Sequence, residues 1–511
     1  MTLPALNAVA QNYPGARLTV LTRSWVAGVY QGQPGVAAVV DDDERGFFAR
    51  LRLAGRLKKG GFDLALLFQN AFGAALTAAL AGIPQRWGYA RDGRGFLLSR
   101  PVRLSHALRQ VHEVFYYLDL LESLGLEAPY RHPRLAADPE VEKSVDELLK
   151  AAGVGPAEKP LILAPGAAYG SAKRWPVEFF AQAARQVLKY RPSTAIILGG
   201  KSEAGAADSL AGLLEGPVLN LAGRTSLGQA AAIMKRGALM LTNDSGLMHI
   251  AGAQGLPLVA AFGPTNPRTT APLGLSRLIR SRAACAPCLK RECPLERQIC
   301  WDDVGPDKVV QAALELLDPP KVAAGLSPAV FLDRDGTINE DVDYLSSPEQ
   351  LELIKGAGPA VAALSRAGYK AVLVTNQSGI ARGFFTVDDL DRIHQRLEDL
   401  LALEGARLDG VYYCPHHPQG KVADLSFDCD CRKPGTRLYE QAAAELGLDL
   451  SRSVWVGDKI SDLSPAEKFG GRSVLVMSGH GLEEAAEIGD YQPTLLAPDL
   501  RRAAQWITAD D

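Results

Sequence analysis

The chain alternates short apolar runs with longer amphipathic stretches, and this alternation constrains its fold more than any other feature. The runs are rich in Val, Ile, Leu and Ala and are bounded by turn residues. Continuous apolar strands separated by helices are typical of parallel sheets covered by helices on both faces. The predicted strands are residues 18–21, 36–40 and 63–68, then 160–164, 194–198, 218–221, 238–242 and 258–262, and finally 329–332, 370–375, 410–413, 453–456 and 472–476.

Two stretches rich in Pro, Gly and Ala, residues 151–160 and 318–328, interrupt the periodic segments and are predicted to be linkers. A length of 511 residues accommodates about three domains. We therefore predict an α/β protein of three doubly wound, Rossmann-like domains, at residues 1–155, 156–318 and 329–511, with residues 319–328 as the second linker.

Composition excludes several classes of function. The 55 basic residues nearly balance the 58 acidic ones, for a net charge of -3, which argues against a globally basic nucleic-acid binder and against an acidic disordered chain. No apolar run is long enough for a membrane span, and the first residues lack the basic segment of a secretory signal. A cytoplasmic enzyme without a nucleic-acid partner is expected.

In the third predicted domain, polar residues follow the ends of successive strands. Asp333 and Asp335 follow the first strand, and Asp458 follows the fourth, with Asp462 four residues on. Ligands bind at the carboxyl edge of such sheets. Paired carboxylates there can hold Mg²⁺, so that one can attack phosphorus while the other moves the proton. The hydroxyl, amide and cationic groups available to a phosphoryl group are Thr375, Asn376, Gln377, Ser378, Arg432, Lys433 and Lys459.

A group of cysteines lies between these motifs. Cys414-x-His416 and Cys429-x-Cys431 supply three thiolates and one imidazole. This closed tetrahedral set suits Zn²⁺ and leaves no open position for water, so the predicted role is structural.

These motifs resemble those of the haloacid dehalogenase superfamily and, within it, the D-glycero-D-manno-heptose-1,7-bisphosphate 7-phosphatases, over roughly residues 327–495. The resemblance implies that Asp333 is the nucleophile and Asp335 the general acid/base. It implies that Mg²⁺ is bound by Asp333, the backbone carbonyl of Asp335, and Asp458. It selects His416 over His417 as zinc ligand. It further implies phosphoryl stabilisation by Thr375 and Lys433, an orienting role for Asp462, and a sugar-phosphate contact by Arg432.

The second predicted domain carries two loops suited to phosphate. One is a small-residue loop, 165–176, containing Lys173; the other is Asp244-Ser245-Gly246, which opens a helix bearing His249. Together they resemble the ADP-heptose–lipopolysaccharide heptosyltransferases, of GT-B fold, over roughly residues 3–317. The resemblance implies that the ADP-heptose donor is bound by Lys173, Glu203, Asp244, Ser245, Gly246 and His249.

The chain opens in a helix, residues 4–12, ahead of its first strand. In the resembled family a strand and a turn bearing a general-base aspartate precede that helix. We therefore expect a misassigned start codon, with this strand and aspartate encoded upstream of Met1.

Two clusters leave alternatives open. The arginines between residues 86 and 103 suit either an anionic acceptor or a solvated surface; they are Arg86, Arg91, Arg94, Arg100 and Arg103. A second cysteine group suits zinc, an iron–sulfur cluster, or free thiols; it comprises Cys285, Cys288, Cys293 and Cys300.

The combined hypothesis is a bifunctional enzyme of lipopolysaccharide inner-core heptose biosynthesis. It would transfer heptose from ADP-heptose to a lipopolysaccharide core acceptor, with peripheral contact to the inner membrane. It would also remove the 7-phosphate of heptose 1,7-bisphosphate with Mg²⁺. The alternative is a histidinol-phosphate-type phosphatase joined to a degenerate transferase that only binds nucleotide sugar.

Overall fold

The structure is a computed structural model that describes residues 1–43, 46–136, 138–167, 169–318 and 325–509. The chain forms two compact units. The first comprises Met1–Leu104, Tyr117–Ala128 and His132–Pro320, and the second comprises Ser105–Tyr116, Pro129–Arg131 and Lys321–Asp511. Residues 319–324 of the predicted linker lie outside the described residues.

The amino-terminal part of the first unit contains two separate parallel sheets. One pairs β1 (Leu18–Thr22) with β2 (Val36–Asp41); the other has the order β3 (Leu64–Leu67), β4 (Gln85–Tyr89), β5 (Arg100–Val102). The first three predicted strands are confirmed, whereas β4 and β5 were not predicted. The helices along this sequence are α1 (Leu3–Asn12), α2 (Ala27–Tyr30), α3 (Phe47–Gly60), α4 (Phe72–Leu80) and α5 (Glu113–Ser123).

The rest of the first unit is built on one six-stranded parallel sheet. Its strands are β6 (Leu161–Ala164), β7 (Ala195–Ile197), β8 (Val218–Asn220), β9 (Leu239–Asn243), β10 (Leu258–Phe262) and β11 (Ser276–Arg280), in the order β11-β10-β9-β6-β7-β8. Strands β6, β9 and β10 are buried along their whole length, as expected for Leu- and Ala-rich strands covered on both faces. The helices are α6 (Pro139–Ala151), α7 (Val177–Tyr190), α8 (Ala204–Leu213), α9 (Leu227–Met234), α10 (Gly246–Ala253) and α11 (Pro306–Leu317).

The second unit repeats this architecture. Its strands are β12 (Ala329–Leu332), β13 (Lys370–Asn376), β14 (Gly410–Cys414), β15 (Val454–Gly457), β16 (Arg472–Val476) and β17 (Leu495–Ala497), in the order β14-β13-β12-β15-β16-β17. All pairings are parallel. The helices are α12 (Ala357–Arg366), α13 (Val387–Leu403), α14 (Arg437–Leu446), α15 (Ile460–Leu463), α16 (Pro465–Phe469), α17 (Gly481–Glu487) and α18 (Leu500–Ala509).

Each six-stranded sheet has one point where the chain reverses its direction of travel across the sheet. In the first unit it lies between β6 and β9, and in the second between β12 and β15. Loops leave the carboxyl ends of such neighbouring strands on opposite sides and open a crevice, which is where ligands bind in this fold class. Among the described residues, the helices are all too short or too polar to cross a bilayer.

Candidate active sites

Three carboxylates converge at the crevice of the second unit. Asp333 follows β12, Asp458 follows β15, and Asp462 lies on α15 directly beyond. One oxygen from each lies within 4.8 Å of the others, and all three side chains are buried. Parallel pairing of β12 with β15 sets their carboxyl ends side by side, so the predicted convergence of Asp333 and Asp458 is observed. Asp462 joins the same group.

One buried ammonium partly balances this charge. Lys433 Nζ lies 2.6 Å from Asp333 Oδ1 and 2.7 Å from Asp462 Oδ1, and it donates to the Val374 carbonyl at 2.8 Å. Burial by itself would lower the pKa of Lys433, but the Asp333 and Asp462 carboxylates outweigh it and raise the pKa above its usual range. Lys433 therefore stays positively charged, as a group that stabilises a phosphoryl must.

The remaining negative charge calls for a cation. Burial, then Asp333 and Asp462, raise the pKa of Asp458 to about 8, and burial and Asp333 raise that of Asp462 to about 6. Asp458 Oδ2 accepts a hydrogen bond from the His480 amide at 2.8 Å, whereas its buried Oδ1 has no hydrogen-bond partner among the described residues. The ligand atoms offered here are all carboxylate oxygens, which Mg²⁺ prefers, and one of them is buried without a hydrogen-bond donor in the described part of the chain. The group therefore fits Mg²⁺.

Asp335 is held by a separate set of donors. Arg334 donates to both of its carboxylate oxygens, at 3.1 and 2.9 Å, and Asn339 and Gln377 donate one hydrogen bond each, at 3.0 and 3.2 Å. Burial would raise the pKa of Asp335, but the Arg334 guanidinium and these hydrogen bonds lower it. The carboxylate is therefore kept ionised and fixed in direction.

The residues after β13 were predicted to contact substrate, and the structure directs two of them inward. The Asn376 amide is hydrogen-bonded to the backbone of Lys433 in both directions, at 3.0 and 3.2 Å. The Gln377 side chain is buried among Arg334, Asp335 and Thr375. The Asn376 and Gln377 side chains thus hold other residues of the site in position.

The rim carries Arg432, Lys459 and two residues that sequence analysis did not identify. Arg432 Nη1 donates to the His416 carbonyl at 3.4 Å. Asp341 Oδ2 lies 3.7 Å from Lys459 Nζ and 3.1 Å from His480 Nε2. Neither Asp341 nor His480 belongs to a motif recognised in the sequence, and only tertiary proximity identifies them.

The second predicted metal set is gathered in the loop between β14 and α14. Sulfur–sulfur distances among Cys414, Cys429 and Cys431 are 3.1–3.5 Å. His416 Nδ1 lies 3.3 Å from the Cys431 sulfur, and all four ligand atoms lie within 4.8 Å of one another. His416, and not His417, completes the group. Three thiols and one imidazole at these separations surround a space of the size and donor type that tetrahedral Zn²⁺ takes.

The other cysteine group does not converge. Within the described residues, no three sulfurs of this group come within 4.8 Å of one another. Cys285 is exposed, Cys300 is buried, and the other two are intermediate; they are Cys288 and Cys293. Burial, followed by the other three thiols, raises the pKa of Cys300 to about 11.

The first unit has its own crevice site. Lys173 Nζ lies 2.5 Å from Asp244 Oδ2, and the Thr265 hydroxyl donates to the same oxygen at 2.6 Å. The predicted residues Lys173, Asp244, Ser245, Gly246 and His249 all line one cavity of about 440 Å³. The other lining residues are Tyr169, Thr265, Asn266, Thr269, Thr270 and Leu289. Ala168, in the predicted phosphate loop, lies outside the described residues.

Glu203, also predicted to bind the donor, is not among the residues that line this cavity. Its carboxylate accepts a hydrogen bond from the Gly200 amide at 2.6 Å, and a Cβ on Gly166 would lie 2.1 Å from the carboxylate carbon. Gly166 therefore permits a close approach that another residue would prevent. Glu203 therefore packs against Gly166, near the start of the small-residue loop 165–176.

Two of the five clustered arginines support the backbone. Arg94 is fully buried, and its guanidinium donates to the carbonyls of Leu67, Gln69 and Tyr89. Arg86 Nε donates to the Leu97 carbonyl at 2.6 Å. Neither alternative considered from sequence, an acceptor site or a solvated surface, describes the buried Arg94, whereas Arg86 is partly exposed.

The crevice position, the buried carboxylates and the lysine define the second unit as a phosphohydrolase of the haloacid dehalogenase type, and residues 430–503 match a family model described as HAD-hydrolase-like. Residues 50–299 match the model of glycosyltransferase family 9 (heptosyltransferase). The chain is 45% identical over 188 residues to the D-glycero-D-manno-heptose-1,7-bisphosphate 7-phosphatase of Thermosynechococcus vestitus, covering 35% of this chain and 95% of that protein. The chain belongs to this phosphatase family, and it also carries a family 9 glycosyltransferase domain.

Two further comparisons agree. The D-glycero-beta-D-manno-heptose-1,7-bisphosphate 7-phosphatase of Vibrio cholerae is 44% identical over 161 residues, which is 31% of this chain and 87% of that protein. Among solved structures, the Escherichia coli ADP-heptose lipopolysaccharide heptosyltransferase II is 26% identical, with a TM-score of 0.53 over 62% of this chain and 94% of that chain. These matches do not favour the histidinol-phosphate alternative.

Proposed function

We propose that this chain is a bifunctional enzyme of lipopolysaccharide heptose biosynthesis. Its second unit removes the 7-phosphate of D-glycero-D-manno-heptose 1,7-bisphosphate, and its first unit transfers heptose from ADP-heptose to a lipopolysaccharide core acceptor. The observation that carries the phosphatase assignment is the grouping of Asp333, Asp458 and Asp462 around Lys433 at the crevice. Membership of the heptose-bisphosphatase family supports the substrate.

The proposed phosphatase reaction has two steps. The Asp333 carboxylate attacks phosphorus and the bond from phosphorus to the sugar oxygen breaks. Asp335, whose donors favour the carboxylate form, must first take up a proton from solvent, and it delivers that proton to the departing alkoxide. Asp335 then removes a proton from water, which attacks the aspartyl-phosphate, releases inorganic phosphate and restores Asp333. Lys433 and the Thr375 hydroxyl stabilise the charge on the transferring phosphoryl.

Metals have separate roles in this proposal. Asp333, Asp458 and the Asp335 carbonyl would hold Mg²⁺, which neutralises phosphate charge when bound. The four-ligand loop would hold Zn²⁺ as a structural ion. Because Cys431 directly precedes Arg432 and Lys433, an ordered zinc loop would hold the backbone from which the Lys433 side chain reaches the carboxylate site.

For the transferase, the geometry supports donor binding at the cavity of the first unit. The first-turn amides of α10 and the Lys173 ammonium face that cavity and suit a pyrophosphate. Asp244 Oδ2 is occupied by Lys173 and Thr265, which leaves Oδ1 to accept a hydroxyl of the sugar or ribose. A cytoplasmic location, the core acceptor and a peripheral membrane contact complete this part of the proposal.

A substrate comparison tests the phosphatase assignment. Phosphate release from heptose 1,7-bisphosphate should exceed release from histidinol phosphate, and Asp333→Asn should abolish it. Equal rates on the two substrates, or release that survives Asp333→Asn, would refute the assignment. For the transferase, calorimetry should detect ADP binding that Lys173→Met weakens; an absence of ADP binding to the unaltered chain would refute donor binding.

A further inference from the structure

We propose that Gln377 is a positioning residue that sets the direction of both the acid/base carboxylate and the phosphoryl-binding hydroxyl. This inference rests on the proposed phosphatase function and assigns Gln377 a role other than substrate contact. Its side chain is 4% exposed and is surrounded by three groups of the site, at Arg334, Asp335 and Thr375.

The chemistry of Arg334 determines how the amide is oriented. Gln377 Oε1 lies 3.2 Å from Arg334 Nη2. A guanidinium carries only donors, so the atom of Gln377 facing it must be the carbonyl oxygen. The amide nitrogen is thereby turned the other way. There Nε2 donates to Asp335 Oδ2 at 3.2 Å and to Thr375 Oγ1 at 2.9 Å.

The two hydrogen bonds from this nitrogen have different consequences. The hydrogen bond to Asp335 acts together with those from Asn339 and Arg334 to fix the plane of the Asp335 carboxylate. The one to Thr375 uses the hydroxyl oxygen as an acceptor, so the hydroxyl proton points elsewhere. Among the described residues the Thr375 hydroxyl has no other hydrogen-bond partner, and its proton is therefore available to a phosphoryl oxygen. A single buried amide thus orients a donor to the phosphoryl and the carboxylate that moves the proton.

Gln377→Met tests this role because it keeps the side-chain length and removes all three hydrogen bonds. We expect kcat on heptose 1,7-bisphosphate to fall about 100-fold, the scale of misplaced catalytic groups. We expect KM to change less than about threefold, because a residue that only positions other groups does not contribute to substrate binding. Gln377→Glu is the second variant: it keeps an acceptor for Arg334 and removes the donors, so we expect a similar loss. Gln395→Met, which removes one exposed hydrogen bond to Asp399 on α13, is the matched control.

A double-mutant cycle separates positioning from general destabilisation. If Gln377 acts partly through Thr375, the kcat penalty of Gln377→Met should shrink to about tenfold or less in a Thr375→Val background. An undiminished penalty, a rise in KM at constant kcat, or a kcat equal to that of Gln395→Met would each overturn the inference. Absence of phosphate release by the unaltered chain would instead refute the proposed function.

Discussion

The two crevice sites of this protein share a lysine–aspartate ion pair and differ in the number of charged groups around that pair. Each lies where a six-stranded parallel sheet reverses its strand order, and each contains a lysine–aspartate ion pair. Lys433 and Asp333 are 2.6 Å apart, and Lys173 and Asp244 are 2.5 Å apart. The fold therefore determines where both sites lie, and the lysine–aspartate pair by itself does not distinguish one site from the other.

The difference lies in the neighbours of each pair. Around Lys433 two more carboxylates are buried, which leaves an excess of negative charge that a divalent cation can neutralise. Around Lys173 and Asp244 the added partners are neutral: the Thr265 hydroxyl, and the Tyr169 ring, whose centroid is 4.7 Å from the Lys173 ammonium; the site opens into a cavity. The first arrangement suits nucleophilic attack on a phosphate beside a metal. The second suits binding of a larger anionic ligand.

The largest expected effect is loss of the nucleophile. Asp333→Asn should lower kcat for phosphate release on the order of 10⁴-fold or more, as removal of other catalytic nucleophiles does. ADP binding at the first unit should be unchanged, as measured by calorimetry. Comparable weakening of ADP binding would mean that the two sites are not independent.

A somewhat smaller effect is expected from the zinc loop. The double variant Cys429→Ser, Cys431→Ser should lose about one zinc per chain, measured by metal analysis. The reason is that removal of each ligand from a four-ligand site lowers its affinity for zinc. Phosphatase activity should fall about 10- to 100-fold because Arg432 and Lys433 lose their support. The matched variant Cys288→Ser with Cys293→Ser should retain full zinc content and activity. Zinc loss in the matched variant would contradict the contrast between the two cysteine groups.

The Lys173–Asp244 pair in the first unit should contribute to the affinity for ADP. Lys173→Met should raise the Kd for ADP about 10- to 100-fold, because a hydrogen bond to a charged group contributes about 1.5–3 kcal/mol. Phosphate release should not change. If ADP affinity is retained, the cavity is not the donor site.

The smallest effect concerns stability without metal. Burial and neighbouring carboxylates raise the pKa of Asp458 to about 8, so between its unfolded value near 4 and pH 8 the folded state holds more protons than the unfolded state. Stability of EDTA-treated protein should therefore fall as pH rises through this range, by a few degrees in Tm, and added Mg²⁺ should restore it most at the high-pH end. A Tm that rises with pH in EDTA would contradict the carboxylate cluster.

Much of both sites follows from local sequence because parallel strands bring their carboxyl ends to one edge. Asp333, Asp458 and Asp244 each follow a predicted strand, and Thr375 ends one, so their placement in crevices needed only the strand pattern. The zinc ligands were recognisable from donor type and spacing. The strands that the sequence did not predict are β4, β5, β11 and β17. The first three contain exposed or partly exposed positions that weaken the apolar pattern, whereas β17 is buried but only three residues long.

Sequence by itself determined the α/β architecture, the chemistry-bearing residues and the family resemblance, since these depend on period, spacing and residue type. Tertiary structure alone decided that Gln377 and Asn376 face inward, that Arg94 supports backbone carbonyls, and that Cys285 and its neighbours stay apart while the Cys414 group converges. The physical reason is that hydrogen-bond partners and ligand distances are set by residues remote in sequence. Only the packed fold brings these groups within 3 to 4 Å of one another.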